Sequence, residues 1–291
     1  MAREIDSLTS PTLKHLRDRW WDDSFATFLD DALQPAAGAR VLDVGCGPGT
    51  AELHLGLDGR PAVKLVGIDV VTERVRAALA STRARGVPVL LAAAAADCLP
   101  FGDEIFDAVF CVAVLQHLRD PSPAIAEFAR VTTRGGRIVV VEPDNDARYW
   151  YSSSALGDAA FESGVAFFGA GAVGTDEAHP RLGPTVSSLF LDHGIQPLAV
   201  HLFPVSVSRL GAPASTVWAS RRALARRLVE RTPDEAVKRL GGVYAEALER
   251  YAADAERQGP AFVEIQNTML FATIGHRVDR APVITADRPH R

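Results

Sequence analysis

Short apolar runs alternate with amphipathic stretches from residue 40 onward. Five such runs have the length of buried strands: Val41 to Val44, Leu65 to Val70, Val87 to Ala95, Val109 to Val114 and Ile138 to Val141. The segments between them carry apolar residues at helical spacing. Strands that alternate with helices favour a parallel sheet covered by helices on both faces. The pattern therefore predicts an α/β, doubly wound fold.

The alternation is interrupted by segments of different composition. One of these is rich in Gly, Ser and aromatic residues, and another has apolar residues at helical spacing over a long stretch. We expect these two inserts and the N-terminal segment to form a helical lid on the sheet. The predicted segments are an N-terminal helical segment (1–35), the core (36–143), a lid insert (144–182), a second part of the core (183–209), a helical insert (210–260), a final core strand (261–277) and a mobile tail (278–291).

Composition restricts the class of protein. The chain has 291 residues, 47% hydrophobic and 23% charged, which is enough to bury a full core. Its net charge of -5 provides no field to attract nucleic acid or anionic lipid, so neither is an expected partner. No apolar stretch reaches the ~18 residues of a membrane span and no signal-type segment opens the chain, so a cytoplasmic location is expected. The cysteines, Cys46, Cys98 and Cys111, lack the spacing of a disulfide framework or zinc site, and we expect them to be reduced and buried.

The first apolar run leads into a turn with glycine at alternate positions, 45, 47 and 49. Such a turn, between a strand and a helix, allows the backbone to approach a ligand closely. The dinucleotide fingerprint G-x-G-x-x-G would need glycine at position 50, where Thr50 stands. The carboxylate of Asp43, at the end of the strand, would repel a pyrophosphate. The turn therefore predicts a cationic ligand rather than a nicotinamide dinucleotide.

The turn resembles the first motif of the class I S-adenosylmethionine-dependent methyltransferases, and among them the ubiquinone and menaquinone biosynthesis branch. The segments that carry the resemblance are VLDVGCGPGT (41–50), VGIDV (66–70), ADCLPF (96–101), FDAVF (106–110) and GGRI (135–138). The cofactor S-adenosylmethionine carries a sulfonium and an ammonium group and no phosphate, which agrees with an acid beside the glycines. The resemblance implies a Rossmann-like sheet of seven strands, the last antiparallel, and methyl transfer to a small apolar or aromatic acceptor.

The resemblance also implies which residues bind the cofactor. Asp69 would hold the ribose hydroxyls, and Asp97 would accept a hydrogen bond from the adenine amino group. Asp69 follows the glycines by about 20 residues, which also suits a nicotinamide cofactor, so it does not by itself separate the two ligands. The full predicted set is Asp43, Gly45, Cys46, Gly47, Gly49, Asp69, Val70, Asp97, Cys98 and Val112.

Methyl transfer from a sulfonium is an in-line displacement that requires positioning more than a catalytic side chain. A general base matters only when the acceptor must lose a proton, and His117, after the fourth strand, is the candidate base. A structural role is the alternative for His117. Trp20, Asp144 and Tyr149 are predicted to contact the acceptor, with simple packing or loop capping as their alternative roles.

No metal is expected. The acids that follow the fifth strand offer oxygen ligands suited to Mg²⁺. Metal-dependent catechol methyltransferases also need a carboxylate at the end of the fourth strand, and this chain has Val112 there.

Two other functions stay open at this point. One is a methyltransferase that acts on a macromolecule, which the negative net charge opposes. Enzymes that methylate nucleic acid amino groups also resemble one another in an Asn/Asp-Pro-Pro-aromatic turn after the fourth strand, and this chain has Cys111 to Val114 at that place instead. The other is a regulator that binds S-adenosylmethionine without turnover, which no sequence feature opposes.

Overall fold

The computed structural model describes residues 20–55, 63–144, 147, 149–172 and 181–278. These residues fall into two compact units. The first is drawn from residues 1–143, 181–203 and 270–291, and the second from residues 144–180 and 204–269. The predicted tail beyond residue 278 and the start of the predicted N-terminal segment lie outside the described residues.

The described residues form eight helices and eight strands. The helices are α1 (Asp23–Leu33), α2 (Thr50–His54), α3 (Thr72–Ala84), α4 (Ser122–Val131), α5 (Ala155–Ala172), α6 (Leu182–Asp192), α7 (Ser215–Arg231) and α8 (Glu235–Gln258). The strands are β1 (Arg40–Val44), β2 (Lys64–Asp69), β3 (Val89–Ala93), β4 (Phe106–Val112), β5 (Thr132–Asp144), β6 (Trp150–Ser152), β7 (Ile195–Leu210) and β8 (Val263–Arg277). Two short 3-10 turns cover Leu115–His117 and Gly259–Ala261.

A mostly parallel sheet organises the first unit. Its strands follow the order β3-β2-β1-β4-β5-β8, and β7 pairs with β8. The pairs β1–β2, β1–β4, β2–β3 and β4–β5 are parallel, whereas the C-terminal strands are antiparallel. In parallel order, the carboxyl ends of β1 to β5 all reach the same edge of the sheet, which is where open α/β sheets bind ligands.

The apolar runs that form β1, β2, β4 and β5 are the buried centre of this sheet, whereas β3 lies at its edge, where Leu90 is 72% exposed. Leu42, Ile68 and Val109 have no exposed surface, and the side chains of α4 and α6 pack against the same core. The predicted doubly wound α/β fold is confirmed. The sheet has one strand more than the predicted seven, because β6 is only three residues long and pairs with Glu264–Gln266 of β8. Three residues are too few to show a period.

The second unit contains α5, an 18-residue helix that the sequence pattern did not predict. Gly157, Gly164 and Gly171 recur every seven residues, so they share one face of the helix. A Cβ on Gly164 would lie 3.0 Å from the ring of Tyr244, and one on Gly171 would lie 2.6 Å from Leu228. Interior glycines disfavour a helix in isolation. Here they allow α7 and α8 to approach α5 closely, and this packing stabilises it.

Among the helices in the described part of the chain, none is long and apolar enough to cross a membrane.

Candidate functional site

Alternate glycines shape the turn between β1 and α2. Gly45, Gly47 and Gly49 have φ of 84°, 55° and 86°, a backbone region that residues other than glycine rarely adopt. The backbone N–H groups of Gly45 and Cys46 both donate to the carbonyl of Ile68, at 2.7 and 2.8 Å, which anchors the turn to the end of β2. The structure therefore places this loop at the carboxyl edge of the sheet.

Gly45 also has no room for a side chain. A Cβ there would lie 2.1 Å from Cγ2 of Val114, a residue of the turn that follows β4. The glycine loop and the turn after β4 are thus in direct contact, and a side chain at position 45 would force one of them to shift.

Asp69, the last residue of β2, holds the glycine loop in place. One carboxylate oxygen accepts from the Gly47 N–H at 3.0 Å and the other from the Val71 N–H at 2.8 Å. Nη1 of Arg74 lies 3.8 Å from the same carboxylate, which is only 5% exposed. The neighbouring Val70 is 64% exposed, unusual for valine. Asp69 and the glycine loop therefore form one structure with an apolar surface beside it.

Two further carboxyl groups are buried beneath the loop. Asp43 lies near the end of β1, Glu52 lies in the first turn of α2, and each is 2% exposed. Burial, together with the nearby charge of Glu52, raises the pKa of Asp43 well above its usual range. Burial also raises the pKa of Glu52 from 4.5 to about 7. Sequence reasoning found Asp43 but missed Glu52, because an acid in the first turn of a helix is ordinary and gives no sign of burial.

Asp97 and Cys98 lie on the turn that follows β3, and both are exposed. The backbone of Cys98 forms an isolated antiparallel β-bridge with that of Ala95, and the next residue, Leu99, is buried in the core. The expectation that all the cysteines are buried was therefore wrong for Cys98, because the turn projects from the sheet edge; Cys46 and Cys111 are buried as expected. Exposure leaves the Asp97 carboxylate available to a ligand.

The turn after β4 carries His117 and is held by a buried carboxylate that sequence reasoning did not assign. Glu142, near the end of β5, has no exposed surface and accepts from the N–H groups of Val114 at 2.8 Å and Leu115 at 2.7 Å, with that of Gln116 at 3.4 Å. Ala113 precedes this turn with φ of 56°, a strained value for alanine. His117 itself is half-buried. Glu142 thus caps the 3-10 turn and positions the predicted base.

The remaining acceptor-side residues have local roles in the structure. Trp20 is half-buried at the start of the described chain. In the second unit, Asp144 is buried and accepts from the Ala147 N–H at 3.2 Å, a loop-capping contact. The backbone N–H of Tyr149 donates to the side chain of Asn267 at 2.8 Å, while the residue is 57% exposed. Their predicted contacts with an acceptor stay predictions.

A cavity of about 470 Å³ lies at the opposite, amino edge of the sheet. Leu33, Asp107 and Arg137 are among its lining residues, and none of the predicted site residues lines it. It therefore bears on neither the glycine loop nor His117. Within the described ranges, no group of three His, Cys, Asp or Glu side chains has the arrangement of a metal site.

Comparisons with known proteins agree with this geometry. Residues 42–140 match a family model described as a methyltransferase domain. A demethylmenaquinone methyltransferase of Beutenbergia cavernae is 40% identical over 145 residues, which are 49% of this chain and 54% of that protein. An O-methyltransferase of Penicillium expansum is 31% identical over 156 residues, 48% of this chain and 55% of that protein. The chain thus spans about half the length of these curated relatives.

The fold itself recurs among solved structures. The YcgJ protein of Bacillus subtilis superposes with a TM-score of 0.55 over 88% of this chain and 98% of that one, at 18% sequence identity. At this identity the likeness concerns the fold alone. Together, the glycine loop, the sheet order and the family match support the resemblance of residues 42–140 to the class I S-adenosylmethionine-dependent methyltransferases, and among them to the ubiquinone and menaquinone biosynthesis branch.

Proposed function

We propose that the protein is an enzyme that transfers a methyl group from S-adenosylmethionine to a small-molecule acceptor by in-line displacement. The observation that carries the proposal is the acidic, glycine-lined edge of the sheet. Asp43 and Asp69 are both buried there, next to a loop in which glycine is required by conformation at three positions. This environment favours a cation over a phosphate.

The residues fit the cofactor by their chemistry. A nucleoside with a sulfonium and an ammonium group needs acceptors for its hydroxyl and amino groups and negative charge near its cationic end. Asp69 at the end of β2 would accept from the ribose hydroxyls, and the exposed Asp97 would accept from the adenine amino group. The exposed surface of Val70 would pack against the base.

The bound cofactor supplies an activated methyl group and a neutral leaving group. The task of the chain is then to hold the acceptor in line and to exclude water. When the acceptor is a hydroxyl or carbon acid, His117 would accept its proton. Glu142 would keep His117 in position through the capped turn. An amine acceptor that is already neutral would not need His117.

The names of the relatives support a small acceptor. One is a demethylmenaquinone methyltransferase, and another is an O-methyltransferase. A small quinol or phenol is therefore the first class of acceptor to test.

Calorimetric titration with S-adenosylhomocysteine and with NAD tests the cofactor. We expect the former to bind and the latter not to bind. Asp69→Ala should weaken binding by about 1–3 kcal/mol, because charge-assisted hydrogen bonds are lost and two backbone N–H groups lose their acceptor. Asp107→Ala is the matched control, since Asp107 accepts from the Arg40 N–H at 2.8 Å at the opposite edge of the sheet. Equal affinity in the two variants would contradict the assignment.

Turnover of labelled S-adenosylmethionine with phenols, quinols and amines tests the reaction. Product with a phenol or quinol, and a loss of activity in His117→Asn, would support the proposal. Binding without product for every acceptor would favour a regulator instead.

A further inference from the structure

The carboxyl groups of Asp43 and Glu52 meet beneath the glycine loop. In the sheet, Asp43 pairs with Gly67 of β2. Oε1 of Glu52 lies 2.7 Å from the point that a Cβ on Gly67 would occupy, so Glu52 fills the space left by this glycine. The carboxyl group of Glu52 therefore lies beside that of Asp43, and both residues are 2% exposed. Two ionised carboxylates this close and this deeply buried would repel each other, which favours a proton on one of them.

No fixed positive charge neutralises this pair in the described part of the chain. Both oxygens of Glu52 are buried without a hydrogen-bond donor there. The groups that face the pair are acidic or neutral: Asp69 on β2, and the buried thiols of Cys46 and Cys111, whose pKa values burial raises. Arg74 on α3 is directed to Asp69, at 3.8 Å.

Two buried acids this close keep a proton to a higher pH than either would alone, and a nearby cation lowers that pH. A ligand with positive charge at the loop would supply this cation. We infer that Asp43 and Glu52 share one proton in the free protein and release it when S-adenosylmethionine binds, so that Glu52 is an additional determinant of cofactor affinity. This inference rests on the proposed function.

The inference has a direct consequence for the pH dependence of binding. A site that releases one proton on binding gains affinity with rising pH, by at most about tenfold per pH unit. The pKa of Glu52, raised to about 7, places the gain below neutral pH. Above that range the pair is ionised before the ligand arrives, and the dependence disappears.

Isothermal titration calorimetry of the full chain with S-adenosylmethionine measures the released proton. Titrations between about pH 5.5 and 7, in buffers with different ionisation enthalpies, give the number of protons released per ligand. In this range the α-amino group of the ligand stays protonated, since its pKa is ~7.7–8. We expect the wild-type protein to release between about half a proton and one proton near pH 6.

Glu52→Gln is the decisive variant. Glutamine keeps the shape and donates a hydrogen bond to Asp43, so Asp43 needs no proton in the free variant, and proton release should fall to the background. The other titratable side chains are unchanged in the variant, so they define that background. Glu73→Gln, an exposed acid in the first turn of α3, is the matched control and should release as many protons as the wild type.

The outcomes separate the inference from the proposed function. Binding with no buffer dependence in the wild type, or with equal release in Glu52→Gln, would overturn the shared proton and leave the cofactor assignment standing. Failure of the wild type to bind S-adenosylmethionine at all would overturn both.

Discussion

Replacement of Glu142 by glutamine tests how the turn after β4 is held. The carboxylate makes two short contacts, with the N–H groups of Val114 and Leu115 at 2.8 and 2.7 Å. Hydrogen bonds to a charged group contribute about 1.5–3 kcal/mol each, and neutral ones about 0.5–1.5 kcal/mol. Since a glutamine oxygen still accepts both, the variant should lose about 2 kcal/mol of unfolding free energy. Glu142→Ala leaves both N–H groups without an acceptor and should lose more.

Urea denaturation at pH 7 measures these losses, and titration with S-adenosylhomocysteine measures their effect on the site. Because Val114 abuts Gly45, a loosened turn should also reduce ligand affinity, by about three- to tenfold, equivalent to about 0.7–1.4 kcal/mol. Asp22→Asn is the control: Asp22 accepts from the Phe25 N–H at 2.8 Å as the N-cap of α1, and asparagine caps equally well. A loss in Glu142→Gln no larger than in Asp22→Asn would refute the assigned role of Glu142.

Two further predictions concern the loop. Gly45→Ala should reduce affinity for S-adenosylhomocysteine more than tenfold, because left-handed backbone costs about 1–2 kcal/mol for alanine and the new Cβ would overlap Val114. Gly86→Ala is the control for the backbone cost alone, since Gly86 has φ of 71° with open space around it. Equal affinity of the two variants in the titration would show that the overlap is unimportant. The pKa of Glu52 rises from 4.5 to about 7 on folding. Between these pH values the native protein therefore binds more protons than the unfolded chain, and its unfolding free energy falls by about 3 kcal/mol in total as pH increases through them. Glu52→Gln should lack this loss. Urea denaturation at pH 5 and pH 8 measures it, and an equal fall in unfolding free energy for the wild type and Glu52→Gln would refute the explanation.

Local patterns in the sequence were sufficient for the sheet and the glycine loop. Four of the apolar runs became β1, β2, β4 and β5 because a strand buried on both faces must be apolar along its whole length. The run that became β3 was found by its apolar composition, although this edge strand is largely exposed. The turn at Gly45, Gly47 and Gly49 was predictable because alternate glycines express a backbone requirement, which is a property of the chain itself.

Helix α5 was not predictable in this way. Its three spaced glycines weaken a helix considered alone, and only the close approach of Tyr244 and Leu228 explains them. The exposure of Cys98 was likewise decided by the turn on which it lies, since the side chain is small and suits either environment.

The sequence by itself determined the class of fold, the position of the ligand loop and the acids that end β1 and β2. Tertiary structure decided which acids interact. Glu52 reaches Asp43 through the gap above Gly67, and Glu142 reaches the N–H groups of a turn 28 residues earlier in the chain. Periodicity records which face of an element is buried, whereas these contacts depend on the distances between elements, which only packing sets.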